Sequence, residues 1–165
     1  METAITTVPD GATAVQIATW RDLNAVRKLE KACFPKDLWP LWDIIGVLTL
    51  PNIVRLKAVV GEEMVGFVAG EVRGGDHLAW ISTVGVAPEY REQGIGTRLL
   101  RACEESLNVT AVRLSVRRSN ISAIRLYEQL DYQHVEVWEG YYQDGEDALV
   151  LEKLLRAAAQ SGDRL

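Results

Sequence analysis

The chain has 165 residues, 48% of them apolar, with a mean hydropathy of −0.01. That suits one soluble domain with a sizeable core, and no apolar run approaches the ~20 residues of a membrane-spanning helix. With 18 basic and 23 acidic residues and a net charge of −5, it lacks the extended basic footprint of a nucleic-acid binder. In chain order, Met1 to Thr6 carry neither a basic nor an apolar segment, so no secretory signal is expected and the cytoplasm is the expected compartment. Residues 1–13, polar and Thr-rich, read as a flexible tail, as do residues 156–165, and a single domain is expected over 14–155.

Val15 and Ile17, with Trp20 at its edge, suggest a first strand. Asp22 can cap a helix whose apolar stripe is Leu23, Val26, Leu29 and Cys33, and Phe34-Pro35 ends it. Pro40 suits the first turn of a second helix that stops before Pro51. Strands are predicted at 55–60, 64–71 and 77–86, joined by Gly61-Glu62-Glu63 and Gly74-Gly75-Asp76, so the three form antiparallel hairpins. A helix at 95–107, a strand at 111–116, a helix from Asn120 to Leu130, and strands at 133–139 and 148–153 complete the pattern. The strand–helix–strand unit at 77–116 is a crossover, which leaves its two strands parallel. The fold class is α+β, three-layer α/β/α, with a mixed, mostly antiparallel central sheet. Cys33 and Cys103 fall on apolar helix faces and read as small buried hydrophobes.

The segment from Val86 to Thr97 carries the chemistry. Gly94 and Gly96 stand where a turn feeds a helix, so the backbone can approach a ligand with no Cβ in the way. The first N–H groups of that helix have no intrahelical partner and lie at the positive end of its dipole, which suits a phosphate or pyrophosphate. Taken alone, the glycines read more simply as a plain strand-to-helix connection. Downstream stands Ser119-Asn120-Ile121-Ser122-Ala123-Ile124-Arg125-Leu126-Tyr127, a capped helix with an apolar stripe. The chain closes on Tyr141-Tyr142-Gln143-Asp144-Gly145-Glu146-Asp147-Ala148-Leu149.

Together these segments resemble the GCN5-related N-acetyltransferase (GNAT) superfamily over roughly residues 14–155. Arg91-Glu92-Gln93-Gly94-Ile95-Gly96 looks like its R/Q-x-x-G-x-G/A loop, and the ending is similar to that of RimI-like protein Nα-acetyltransferases. The resemblance implies that the two parallel strands splay apart and admit the donor's pantetheine arm. It implies acetyl-CoA as co-substrate, with Val84, Val86, Arg91, Glu92, Gln93, Gly94, Ile95, Gly96, Thr97, Asn120 and Tyr127 around it. Tyr127 would face the thioester and act as general acid; read from the residues alone it is a core tyrosine. Phe34, Pro35, Trp39 and Tyr141 would contact the acceptor, with Trp39 and Trp42 equally readable as a lid over the sheet.

Three positions depart from the family pattern. Ser115 stands where RimI-like enzymes carry Glu, and Trp80 stands where other Nα-acetyltransferases carry Tyr; His77 and His134 match no family position. The general base is therefore unassigned. Asp131 replaces the usual Gly of a turn that needs a positive φ, at a local cost. The cluster Arg113, Arg117, Arg118 and Arg125 reads equally as a solvated face or as a steering patch for the polyanionic donor. No metal-site spacing, P-loop or nucleophile elbow appears.

The leading expectation is acetyl transfer from acetyl-CoA to a protein or peptide N-terminal α-amino group, by direct attack in a ternary complex. A small amine (a polyamine, an amino acid or an aminoglycoside) is the alternative acceptor, and a non-catalytic acyl-CoA-binding module is the third reading. The expected partners are acetyl-CoA and the acceptor, with no metal, nucleic acid or membrane, in a monomer or homodimer.

Overall fold

The computed structural model describes residues 12–73, 75 and 77–155. The tails expected at either end fall largely outside the described residues, although Thr13 already lies in the first strand. In chain order the elements are β1 (Thr13–Ile17), α1 (Leu23–Cys33), α2 (Leu41–Thr49), β2 (Ile53–Val60), β3 (Glu63–Arg73) and β4 (Leu78–Val86). They continue with α3 (Ile95–Leu107), β5 (Ala111–Arg117), α4 (Ile121–Gln129), β6 (Gln133–Trp138) and β7 (Ala148–Leu154). One sheet holds all seven strands in the order β1-β2-β3-β4-β5-β7-β6. Every neighbouring pair is antiparallel except β4 and β5, as the crossover argument requires.

Each face of the sheet has its own apolar core. On one, Leu99, Leu100 and Leu107 of α3 and Ile124 and Tyr127 of α4 pack on Val68, Ile81, Val112 and Leu114. On the other, Val26 and Leu29 of α1 and Ile44, Val47 and Leu48 of α2 pack on Phe67 and Ala69. Full burial of such a side chain contributes ~1.5–3 kcal/mol, so these two clusters fix which helix covers which face. Cys103 is sealed in the first core, where burial pushes its thiol up to about 12. A buried polar link joins α3 to β7, with the Tyr132 hydroxyl and Lys153 Nζ donating to the two oxygens of Glu104 at 2.7 and 2.9 Å.

The helix ends follow local chemistry, with three adjustments to the sequence reading. Trp20 does not extend β1 but forms a 3₁₀ turn with Arg21 and Asp22, because Thr19 and Asp22 cap one another reciprocally. That engagement draws the Asp22 side chain away from the α1 terminus. Pro40 sits at the N-cap of α2, one residue ahead of the first turn. At the end of α4, Asp131 adopts φ 71°, the left-handed geometry expected of that turn. An L-residue there carries ~1–2 kcal/mol of strain, reduced for Asp. We expect Asp131→Gly to stabilise the fold by roughly 0.5–1 kcal/mol after the added chain entropy is deducted. In thermal melts that appears as a gain of ~2–4 °C per kcal/mol, and a lower melting temperature would show that the carboxylate itself holds the turn.

Candidate active site

The parallel pairing of β4 and β5 is short. It comprises Leu78 with Ala111, Ala79 with Val112 and Trp80 with Arg113, and then the strands part. Beyond that point Ile81–Val86 and Leu114–Arg117 leave a gap that opens into a cavity of about 560 Å³. Phe34 and Trp39 wall it from the α1–α2 loop, Tyr141 and Tyr142 from the β6–β7 hairpin, and Asn120 and Tyr127 from α4. Edge backbone groups freed by the splay can pair with an extended ligand in place of a strand.

A β-bulge shapes the β4 side. Ala69 pairs with Thr83 and Gly70 with Ile81, so Ser82 is the extra residue. The bulge reverses the strand's alternation: Ile81 packs into the α3 core, and yet Thr83 also turns inward, toward α1. There its hydroxyl donates to Glu30 Oε1 at 2.9 Å. Glu30 is only 5% exposed, and burial pushes its carboxyl above the ordinary value. Its other oxygen, Oε2, is buried without a hydrogen-bond partner among the described residues. Val84 and Val86, past the bulge, pack toward the α3 core.

The loop after β4 is built from two left-handed residues, Glu92 at φ 62° and Gly94 at φ 77°. Among the described residues, the N–H groups of Glu92 to Thr97 make no backbone hydrogen bond, and Arg98 N–H to Gly94 C=O is the first of the helix. Successive free N–H groups in such a turn form an anion-binding concavity at the helix N-terminus. A Cβ on Gly94 would meet nothing within 4 Å, so the loop is open on the side a ligand would use. Gly96 instead faces Leu126 and Val86, and Ile95 is buried in the core, so each can offer a ligand only its backbone. Arg91 folds back, its Nε donating to Val86 C=O at 3.1 Å. That same carbonyl accepts from Cys33 Sγ at 3.3 Å. The residues that line the cavity and the residues of this loop therefore lie along one path, at the two ends of the open β4 edge.

Tyr127 contributes its ring to the core and also lines the cavity, and its hydroxyl has no hydrogen-bond partner among the described residues. Burial, and then the nearby Tyr142, push its ionisation well above the ordinary tyrosine range, so it stays protonated. Asn120 caps α4 through Ala123 N–H at 3.3 Å and faces the cavity as well.

Arg117, at the end of β5, ties the two cavity-walling loops together. It donates two bonds of 2.7 Å to Asp37 in the α1–α2 loop. It also donates to Asp144 and Glu146 of the hairpin, each at 2.9 Å, and stacks over Tyr142 at 4.1 Å. Glu146 further accepts from the Ser119 hydroxyl and N–H, and Asp147 accepts from Arg118 and Gly140 N–H. The acidic pair in the chain's closing motif is thus a brace for the hairpin. Arg113 pairs with Glu152. The arginine cluster is therefore largely committed to carboxylates, with Arg125 alone exposed and outside the ion pairs found among the described residues. Lysine cannot reproduce this forked geometry, so we expect Arg117→Lys to loosen the two loops and weaken any ligand held between them by about tenfold or more, while anion binding at the 92–97 turn holds. Equal loss at both places, measured by calorimetry, would show a global collapse instead.

Other sequence-predicted residues sit differently. Pro35 lies on the exposed outer side of its turn and does not line the cavity, because its role is to end α1. Trp42 is 78% exposed and also stands off the cavity, whereas Trp39 packs on the α1–α2 core beside it. Trp80 stacks on Trp138 at 5.5 Å, which in turn meets Tyr141 at 5.1 Å, an aromatic chain that supports the hairpin. His77 and His134 are exposed outside the cavity, with His134 on Glu128 at 2.9 Å. Ser115 does line it. Sequence reasoning missed Glu30 and Thr83. A signal for the first was present: Glu30 follows Val26 by four residues and precedes Cys33 by three, so a carboxylate sits on the apolar stripe of α1.

A splayed parallel pair, a turn of free N–H groups at one end of the gap and a cavity lined by a buried tyrosine at the other are features of a transferase. The chain belongs to the Acetyltransferase (GNAT) family, which it matches over residues 23–132. It is 30% identical over 148 residues to the N-alpha-acetyltransferase of Saccharolobus solfataricus, spanning 81% of this chain and 88% of that one. It is 32% identical over 140 residues to the N-alpha-acetyltransferase RimI of Mycobacterium tuberculosis, spanning 82% and 88%. Among solved structures, the ribosomal-protein-S18-alanine N-acetyltransferase from Escherichia coli matches with a TM-score of 0.80 at 25% identity, over 91% of this chain and 98% of that one.

Proposed function

We propose that the protein transfers the acetyl group of acetyl-CoA to the α-amino group of a protein or peptide N-terminus. The observation that carries this reading is the cavity at the parting of β4 and β5, walled by aromatic residues on two braced loops and open to the Tyr127 hydroxyl. The similarity to N-alpha-acetyltransferases along most of the chain supports the choice of acceptor. The residues fit the donor: the free N–H groups of 92–97 suit a pyrophosphate, and the unpaired β4 edge suits an amide-bearing pantetheine arm. When bound, acetyl-CoA supplies an activated thioester carbonyl.

The chain's own residues then have three tasks. Glu92 to Thr97 and the Val84–Val86 edge hold and orient the donor. Phe34, Trp39, Tyr141 and Tyr142 exclude water and position the acceptor. Tyr127 holds a proton on its hydroxyl for the departing sulfur. An α-amine has a pKa of ~7.7–8.0 against ~10.4 for lysine, so it reaches the neutral, attacking form at smaller cost.

The test is a panel of N-terminal peptides set against lysine side chains, polyamines and amino acids, read by thiol release. Turnover of peptides acetylated on the α-nitrogen is the expected outcome. Turnover of small amines alone would overturn the choice of acceptor, and tight CoA binding with no acetylated product would make the protein a binding module.

A further inference from the structure

Among the described residues, the β5 wall of the cavity is formed by Leu114, Ser115, Val116 and Arg117, and the Ser115 hydroxyl cannot act as a base near neutrality. The wall formed by α1 supplies what that wall lacks. Glu30 lines the cavity, is 5% exposed, and has one oxygen tied to Thr83 at 2.9 Å and the other buried without a partner. Among the described residues no cation pairs with it; Arg117, across the cavity, is committed to Asp37, Asp144 and Glu146. A buried carboxylate with an orphaned oxygen is a standing cost to folding and marks a place where function holds it. The β4 bulge at Ser82 is what turns Thr83 toward it.

We propose that Glu30 is the general base of this enzyme, its carboxylate taking up the proton that leaves the acceptor ammonium while Thr83 positions it. The proposal rests on the reading of the chain as an amine acetyltransferase. The acceptor nitrogen sheds two protons in all. The first passes to Glu30 and thence to solvent, which frees the lone pair. That pair forms the N–C bond as the thioester C–S bond breaks with its electrons to sulfur. The sulfur takes a proton from the Tyr127 hydroxyl and leaves as the thiol, and the second proton from nitrogen returns to the Tyr127 oxygen.

The titratable and charged groups that line the cavity with Glu30 are Lys36, Asp37, Arg117, Tyr127, Tyr141 and Tyr142, and Cys33 lies close by on its own helix. Burial raises Cys33, Tyr127 and Tyr142, so these three are neutral at working pH. Desolvation raises Glu30 itself from 4.5, which narrows its gap to the α-ammonium it would deprotonate.

The decisive variant is Glu30→Gln, which keeps the size of the side chain and can still accept from Thr83. With whichever amine the wild type acetylates, kcat at pH 7 is expected to fall about 10²–10³-fold, recovering in part as pH rises past the amine's own pKa. Acetyl-CoA affinity by calorimetry should be unchanged. Thr83→Val should show a smaller loss with a shifted acidic limb in its pH profile. A second readout needs no substrate. A carboxyl raised in the folded state stabilises only while protonated, so wild type should lose melting temperature relative to Glu30→Gln as pH climbs from 4.5. Unchanged kcat, a loss confined to KM at every pH, or a melting-temperature gap independent of pH would overturn the proposal. Peptides failing while small amines react would sink the choice of acceptor alone, and the same loss of kcat in Glu30→Gln with the reactive small amine would still support Glu30 as base. A wild type that acetylates no amine would overturn both.

Discussion

Gly94→Glu will bind acetyl-CoA at least ~10²-fold more weakly than the wild-type protein. Two effects at one atom set the size of the loss. Gly94 has φ 77° and caps α3 at the turn where the N–H groups of Glu92 to Thr97 are free. Each hydrogen bond to a charged group contributes ~1.5–3 kcal/mol, so displacing two of them costs ~3–6 kcal/mol, or about 10²–10⁴-fold in affinity. A carboxylate at the positive end of the helix would also satisfy the same N–H groups from within, which closes the site to a second anion. Strain from a non-glycine residue at this φ adds ~1–2 kcal/mol of destabilisation. Gly94→Ala separates the two effects. Its methyl would meet nothing within 4 Å, so it should lower the melting temperature while weakening acetyl-CoA binding far less. Calorimetry on both folded variants decides the matter, and a Glu variant with full affinity would reduce the loop to a plain turn.

The order of elements was legible in the sequence because each carries its own period and its own punctuation. The stripe of α1 ends at Phe34 with Pro35 behind it, and the strands on either side of Gly61 pair as a hairpin. The parallel neighbours β4 and β5 followed from the crossover alone. What could not be read was the bulge. Ile81-Ser82-Thr83-Val84 shows unbroken strand character, and nothing local says that Ser82 falls out of register against Ala69 and Gly70. Without the bulge Thr83 would not be placed on α1, and Glu30 would read as a charge at the edge of an amphipathic helix. Pairings across long separations were equally hidden, since Arg117 meets Asp37 eighty positions away. An arginine cluster near a phosphate-binding motif invites an electrostatic reading that only three-dimensional pairing can decide. Here the pairing makes most of it a brace.

That brace also gives the acceptor site an acid sensitivity with a defined sign. Glu146 is held below the ordinary carboxylate value by Ser119 first and then by Arg117, and Asp144 by the Glu146 N–H first and then by Arg117. Carboxyls lowered in the folded state contribute stability above their unfolded value and lose it as pH falls through the folded one. The hairpin carrying Tyr141 and Tyr142 should therefore loosen in acid, and the acceptor KM should rise there before the melting temperature collapses.

Tyr127→Phe is expected to lower kcat by about 10²-fold, the lower end of the range for general acids, because a thiolate is a stable leaving group. The ring belongs to the core with Ile124 and Leu130 and lies 5.8 Å from Tyr132, and phenylalanine keeps all of that packing. The hydroxyl makes no hydrogen bond among the described residues, so its removal leaves no partner there unsatisfied. Stability and acetyl-CoA affinity should therefore be nearly unchanged while the rate falls. Burial and Tyr142 hold the phenol protonated across the working range. The wild-type activity should accordingly show no basic limb from Tyr127 ionisation, and the variant should be slower by the same factor at every pH from about 6 to 9. The opposite outcome is equally clear in physical terms. A lower melting temperature with unchanged kcat would make Tyr127 a packing residue, and the proton on the departing sulfur would then have to come from solvent admitted through the cavity.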